Sequence, residues 1–285
     1  MGSYVELIDT LQFGRSRTGA AYHVCGEKHA LVDAGTSLSL AAVQEGLGKN
    51  SLDYVLLTHI HPDHAGAAGA LARLFPNARI GVHERGAAHL MDPSKLNASV
   101  RAFTGSLATL YGEVQAVPPE RIWVVKHGDL IDLGKGIVLE AIDAPGHAPH
   151  HLCFYERSHR GLFCGDALGI YREGILVPST VPPSFHLGKS LTTVTHLSQY
   201  HPDTLFYAHF GMLQGTPEVF DQYVRCLVDW VKRIDLLRQR ASEDQVVHTI
   251  LADRRFAGFD RELRLELTMC IRGALHYLRL STAES

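Results

Sequence analysis

The chain contains no apolar run near the ~20 residues that a membrane-spanning helix needs. It carries no excess of basic charge either. Its 27 Lys and Arg stand against 30 Asp and Glu, for a formal net charge of −3. That balance disfavours nucleic acid as a main partner. Cysteine is sparse: Cys25, Cys153, Cys164, Cys226 and Cys270 are scattered, odd in number and form no C-x-x-C pair. A disulfide framework is thereby disfavoured, and reduced, mostly buried thiols in a cytoplasmic protein are expected. The N-terminal stretch lacks a basic start followed by an apolar core, so no secretory signal is expected. Glu6 stands where a myristoylation signal needs Ser or Thr. Internal repeats and low-complexity segments are also missing.

What remains is ordinary globular composition, 46% hydrophobic and 20% charged over 285 residues, with enough chain for a large buried core. The unusual count is histidine, at 18. Short β-rich runs recur at 22–25, 29–33, 54–58, 80–83, 122–125, 137–142, 151–155, 161–164 and 204–207. Helical patterns fall between them at 38–47, 65–74, 95–111 and 188–200. Together they predict a mixed α/β sandwich. Residues 170–186 are proline-rich and read as one long ordered loop, of the kind that walls a pocket.

After Gly215 the pattern becomes all-helical. Thr216-Pro217-Glu218 has the form of a helix start, and Ser242-Glu243-Asp244-Gln245 that of a capping box. Asp260 is placed to cap a third helix. A domain at 1–215 followed by a helical region at 216–285 is expected.

Chemistry concentrates at residues 58–66, T-H-I-H-P-D-H-A-G, just after the apolar run Tyr54-Val55-Leu56-Leu57. Alternation along a strand puts His59 and His61 on one side. Pro62 then breaks the ladder, and Asp63 and His64 open a helix whose N-terminus favours the Asp charge. Imidazole and carboxylate together suit zinc, iron or manganese. Three later β runs end in further donors beside glycines: Gly146-His147, Gly165-Asp166 and His209-Phe210-Gly211. Taken singly, each would be read as a structural turn; the ordered set favours metal binding.

The order H-x-H-x-D-H, G-H, G-D, H-x-G, preceded by Asp33-Ala34-Gly35, resembles the metallo-β-lactamase superfamily from about residue 20 to 212. The resemblance implies a four-layer αββα sandwich with metals at one edge. It implies two divalent metal ions, zinc first, with iron or manganese open. His59, His61 and His147 would hold one ion; Asp63, His64 and His209 the other; Asp166 would bridge them. Asp33, Thr58 and His151 would orient these ligands. Of the adjacent His150 and His151, one is expected to face the site. Tyr171 and Arg172, with Lys189 nearby, are candidate substrate contacts. The other histidines, His23, His29 and His89 among them, are read as surface or core residues, and Cys164 as core.

The implied function is a dinuclear metal-dependent hydrolase. In it a metal-bridging hydroxide, oriented by Asp63, cleaves a small ester, thioester or lactone. The alternatives are a di-iron redox protein that binds or reduces oxygen, a phosphodiesterase, and a non-catalytic effector-binding protein. Mononuclear iron members share the H-x-H-x-D-H element. Flavodiiron proteins carry glutamate at the place of His61. By layout the chain is similar to hydroxyacylglutathione hydrolase (glyoxalase II), with two departures. Gly211 stands where that enzyme has tyrosine, and no basic glutathione-anchoring cluster is legible. The expected partner is a small-molecule substrate, with no nucleic acid and no membrane; a homodimer is left open.

Overall fold

Period-two alternation decides which face each strand buries. The computed structural model describes residues 4–172, 174–215 and 217–283. Its first sheet contains β1 (Val5–Asp9), β2 (Ala20–Cys25), β3 (His29–Val32), β4 (Tyr54–Leu56), β5 (Arg79–His83) and β6 (Ile122–Val125), in that spatial order. The first three strands are antiparallel, and β3 through β6 are parallel. The chain continues through β7 (Leu130–Asp132), β8 (Val138–Asp143), β9 (Leu152–Glu156) and β10 (Gly161–Gly165). A hairpin of β11 (Ile170–Arg172) and β12 (Ile175–Val177) pairs only with itself. Then β13 (Thr204–Tyr207) and β14 (Met212–Gln214) complete a second sheet, ordered β14-β13-β10-β9-β8-β7.

The two sheets face each other. In β3, Ala30 and Val32 point inward with Leu56 of β4, against Phe154 and Phe163 of the second sheet. Each of the larger ones, Val32, Leu56, Phe154 and Phe163, contributes roughly 1.5–3 kcal/mol by leaving water. The alternate residues Leu31, Val55 and Ile80 point outward and meet Leu47, Leu71 and Leu90 of the helices Leu40–Leu47, Ala68–Leu74 and Glu84–Met91. On the far side, Cys164, Leu205 and Tyr207 meet Val194 and Leu197 of the helix Leu187–Ser198. The result is the expected four-layer αββα sandwich, and Cys164 is core.

The C-terminal helices Pro217–Arg238, Glu243–Leu251 and Arg261–Ala283 add Leu227, Trp230, Leu267 and Ile271 to that same far-side cluster. The capping box forms: Ser242 and Gln245 exchange side-chain-to-backbone hydrogen bonds. Asp260 accepts from the Leu263 amide at 3.1 Å. Thr216, read as a cap, lies outside the described residues.

Residues 170–186 are not one loop. The triplets Ile170-Tyr171-Arg172 and Ile175-Leu176-Val177 pair as the β11–β12 hairpin, and only 178–186 is irregular. The helical pattern at 95–111 divides at Gly105, whose φ of +59° no helix accommodates. Strands β1, β7 and β14 and the helix Glu84–Met91 are absent from the sequence reading.

Candidate metal centre

Four chain segments deliver the seven candidate ligands to one edge of the sandwich. The first follows β4. Thr58 ends the strand direction, and Asp33, just past β3, takes the left-handed conformation (φ +61°) that turns its carboxylate toward it. Asp33 accepts from the Thr58 amide at 2.8 Å, from the Thr58 hydroxyl at 2.9 Å and from His64 Nδ1 at 2.9 Å. The Thr58 oxygen in turn accepts from His59 Nδ1 at 3.1 Å. One buried carboxylate therefore directs the Nδ1 proton of two imidazoles, so that Nε2 is the ligating atom of neutral His59 and becomes that of His64 once a cation displaces its second proton.

His147 follows β8 after Gly146. A Cβ on that glycine would lie 2.4–2.5 Å from Ser190 atoms, and its φ is +146°. His147 Nδ1 donates to the Ser179 carbonyl at 3.0 Å, which again frees Nε2. His59 Nε2, His61 Nδ1 and His147 Nε2 then lie 2.9–3.2 Å from one another. Ligands ~2.05 Å from a tetrahedral ion stand ~3.3 Å apart, so the triangle suits a zinc-sized cation.

Asp166 follows β10 after Gly165. Its amide donates to His151 Nε2 at 3.0 Å, and Ser179 Oγ donates to Oδ2 at 2.7 Å. Oδ2 lies 3.5 Å from His147 Nε2. Oδ1 faces His64 Nε2 and His209 Nε2, each at 3.3 Å, and is a buried oxygen without a well-formed hydrogen bond. Asp63 Oδ2 lies 3.8 Å from His64 Nε2 and 3.9 Å from His209 Nε2. The two oxygens of Asp166 thus point to two separate donor groups. An orphaned carboxylate oxygen amid converging imidazole nitrogens is the environment a cation satisfies.

Electrostatics separates the halves. Burial, then the neighbouring imidazoles, pushes His59 and His61 well below the ordinary histidine value. Burial also lowers His147. They are neutral donors. Burial works the same way on His64, but the carboxylates of Asp166, Asp33 and Asp63 outweigh it and raise the residue well above its usual value. Burial would raise Asp166; His209, His147 and His64 hold it well below the carboxylate range instead. In the metal-free chain, protons on His64 and His209 do the charge compensation that cations would do.

His209 follows β13, where the Tyr22 hydroxyl lies 2.7 Å from both the Tyr207 and Gly211 carbonyls and fixes the turn. Its Nδ1 sits 2.9 Å from Glu266 Oε1 of the last helix. Glu266 is itself gripped by Arg172 Nη1 at 3.3 Å, and Arg172 donates to the Thr18 carbonyl at 2.7 Å. Sequence reasoning missed Glu266. Its signal is a glutamate on the buried stripe of a helix, between Leu263 and Cys270.

The seven ligand residues converge as a set, with Asp33, Thr58 and His151 directly behind them. Tyr171 and Arg172 do not reach the open site. Tyr171 lies against Tyr207, with ring centroids 5.7 Å apart, and Arg172 is a buried anchor for Glu266. Lys189 is likewise absent from the cavity lining. Both members of the His150–His151 pair serve the site, since His150 borders the cavity while His151 holds Asp166 from behind.

Above the ligands opens a cavity of about 430 Å³. His61, Asp63, His147, Asp166 and His209 form its floor. Leu96, Val100, Phe103, Val181 and Met269 make an apolar wall, with Arg85 and Lys95 as cationic members. Tyr111 also lines it. Burial, then Asp63 and Glu266, raises that phenol well above its usual value, so it stays a hydrogen-bond donor.

The family pattern described as the metallo-beta-lactamase superfamily matches residues 18–209. A metallo-beta-lactamase fold-containing protein of Sulfurisphaera tokodaii is 29% identical over 209 residues, 72% of this chain and 76% of that protein. A crystal structure of an archaeal metallo-beta-lactamase superfamily protein from Sulfolobus tokodaii superposes with a TM-score of 0.76 at 25% identity, covering 96% of this chain and 99% of that one. A hydroxyacylglutathione hydrolase of Aeromonas salmonicida is 30% identical over 190 residues, 64% of this chain and 56% of the relative's length. Among the described residues, no helix is long and apolar enough to cross a membrane.

Proposed function

The chain belongs to the metallo-β-lactamase superfamily, and from that premise we propose that it is a dinuclear metal-dependent hydrolase of a small ester, thioester or lactone. The observation that carries this reading is the convergence of seven donors at one edge of the sandwich, five of them on the floor of one cavity, with the two oxygens of Asp166 aimed at separate groups. His59, His61 and His147 would hold one ion, and Asp63, His64 and His209 the other, with Asp166 shared. Two bound divalent ions would polarise a substrate carbonyl and bring the pKa of a water near neutrality.

The protein's own groups do the rest. Asp63 borders the cavity and accepts the proton of the attacking water at a carboxylate oxygen. The Tyr111 phenol, held protonated, donates to a substrate oxygen. The wall of Leu96, Val100, Phe103 and Met269 takes an apolar acyl portion and excludes bulk water. Arg85 and Lys95 favour a substrate with an anionic end. The hydrolases among similar proteins support the reaction class.

The test is turnover by the purified chain of a panel of thioesters, lactones and phosphodiesters, before and after chelation, beside elemental analysis. Metal-dependent cleavage of a thioester, ester or lactone, lost in Asp166→Ala, is the expected result. No turnover of any of them, or iron with a visible absorption band and oxygen uptake, overturns the reading.

A further inference from the structure

A second cluster of metal-ligating residues lies on the hairpin of β2 and β3, away from the cavity. In β2, Tyr22 and Val24 point into the space between the sheets, and Ala21 points outward. Alternation therefore sends His23 and Cys25 outward together. His29 is the cross-strand partner of Cys25, and Glu6 of β1 is the cross-strand partner of His23. Three adjacent strands thus put a carboxylate, two imidazoles and a thiol on one outer patch.

Their atoms converge. His23 Nε2 and His29 Nδ1 are 2.8 Å apart, and Cys25 Sγ lies 3.7 Å from His23 Nε2. Zinc-type bonds of ~2.05 Å to nitrogen and ~2.3 Å to sulfur put tetrahedral ligands ~3.3–3.6 Å apart, within a small rotation of the partly exposed His29 ring. Glu6 Oε2 accepts from His23 Nδ1 at 3.1 Å, which leaves the Nε2 lone pair facing His29 Nδ1, with Cys25 Sγ 3.4 Å from Nδ1 and 3.7 Å from Nε2 and all three candidate ligand atoms within 4.8 Å of one another. A carboxylate behind a ligating imidazole is the usual support of a metal-bound histidine. Cys25 is a free thiol and, with His29, is partly open to solvent, so an ion has a route in. His29 begins β3 and Asp33 follows its end, so the patch lies roughly 13 Å along the strand from Asp33, which stands behind the cavity floor. None of its residues lines that cavity.

We propose that His23 Nε2, Cys25 Sγ and His29 Nδ1 form a separate mononuclear site for a thiophilic divalent cation of the zinc class, with Glu6 orienting His23. Binding replaces the Cys25 thiol proton, which passes to solvent, and the fourth position is open to water. The ion staples the hairpin that leads directly into Asp33.

The ligands of the cavity floor contain no sulfur, which makes cobalt a selective probe. The whole chain is stripped of metal and reloaded with Co²⁺. A thiolate-to-cobalt charge-transfer band in the near ultraviolet is expected, absent in Cys25→Ser and retained in Cys270→Ser, the cysteine bordering the cavity. Zinc content should fall by one ion per chain in Cys25→Ser while the chain remains folded. Glu6→Gln should weaken cobalt binding at this site about 10–100-fold. Absence of the band from the native chain, or its survival in Cys25→Ser, overturns the proposal without bearing on the cavity site.

Discussion

Replacing Glu266 by Gln removes one negative charge from a relay that ties the last helix to His209. The carboxylate sits 2.9 Å from His209 Nδ1 and 3.3 Å from Arg172 Nη1, and all three side chains are 10% exposed or less. Burial alone would raise the Glu266 carboxyl, yet His209 and Arg172 hold it at about 2, against 4.5 for a free glutamate. That difference corresponds to ~3 kcal/mol of stabilisation at neutral pH. Burial would lower His209, yet it is raised to about 10 by Asp166 first and Glu266 second; the Glu266 share is the same contact seen from the other side and adds nothing to the sum. Gln keeps the shape and an acceptor for His209, but it leaves the buried Arg172 with only the Thr18 carbonyl.

For a chain of this size, thermal melts of metal-free E266Q should fall about 5–10 °C below the native chain at pH 7. Because the folded-state value is the lower one, the stabilisation is complete above about pH 4.5 and disappears as pH falls toward 2. The two melting curves should converge over that window. Metal affinity, measured against a competing chelator, should drop roughly 10–100-fold, since a ligand loses its support. Coincident melts at pH 7 together with equal metal affinity would refute the relay.

Gly146→Ala should force the turn before His147 away from Ser190 and cost roughly 100-fold in turnover, read by steady-state kinetics. Ile271→Ala empties a fully buried position of the far-side core cluster on the last helix; chemical denaturation should register a loss of about 2–5 kcal/mol. Ser242→Ala deletes one half of a formed capping box and should cost about 1 kcal/mol by the same assay, with turnover unchanged.

The cluster of candidate metal ligands is legible because its residues travel in short words. His59 through His64 occupy six consecutive positions, and His147, Asp166 and His209 each sit next to or near a glycine at a strand end. Local spacing carries that information. Glu266 and Arg172 were not legible as a pair, because their meeting depends on how a distant helix docks, and 93 intervening residues hold no pattern for it. Arg172 is a candidate substrate contact in the sequence because it falls in the segment that reads as a pocket-walling loop. In the fold it is pulled inward by a buried carboxylate. The short edge strands β1, β7 and β14 escaped for a different reason. Edge strands bury few side chains, so their alternation is weak. The hairpin at 170–177 is obscured by the prolines that follow it and by Arg172, which interrupts the first of the two short runs around Gly174.

One turn of the last helix carries both Glu266, which braces His209, and Met269 and Cys270, which border the cavity. Reshaping the cavity wall from that helix and altering the support of His209 are therefore not separable tasks. A tilt that widens the cleft also drags the brace. Variants selected for bulkier substrates should carry a hidden requirement for more metal in the medium, and those that escape it should have remodelled Leu96, Val100 or Phe103 on the opposite side instead.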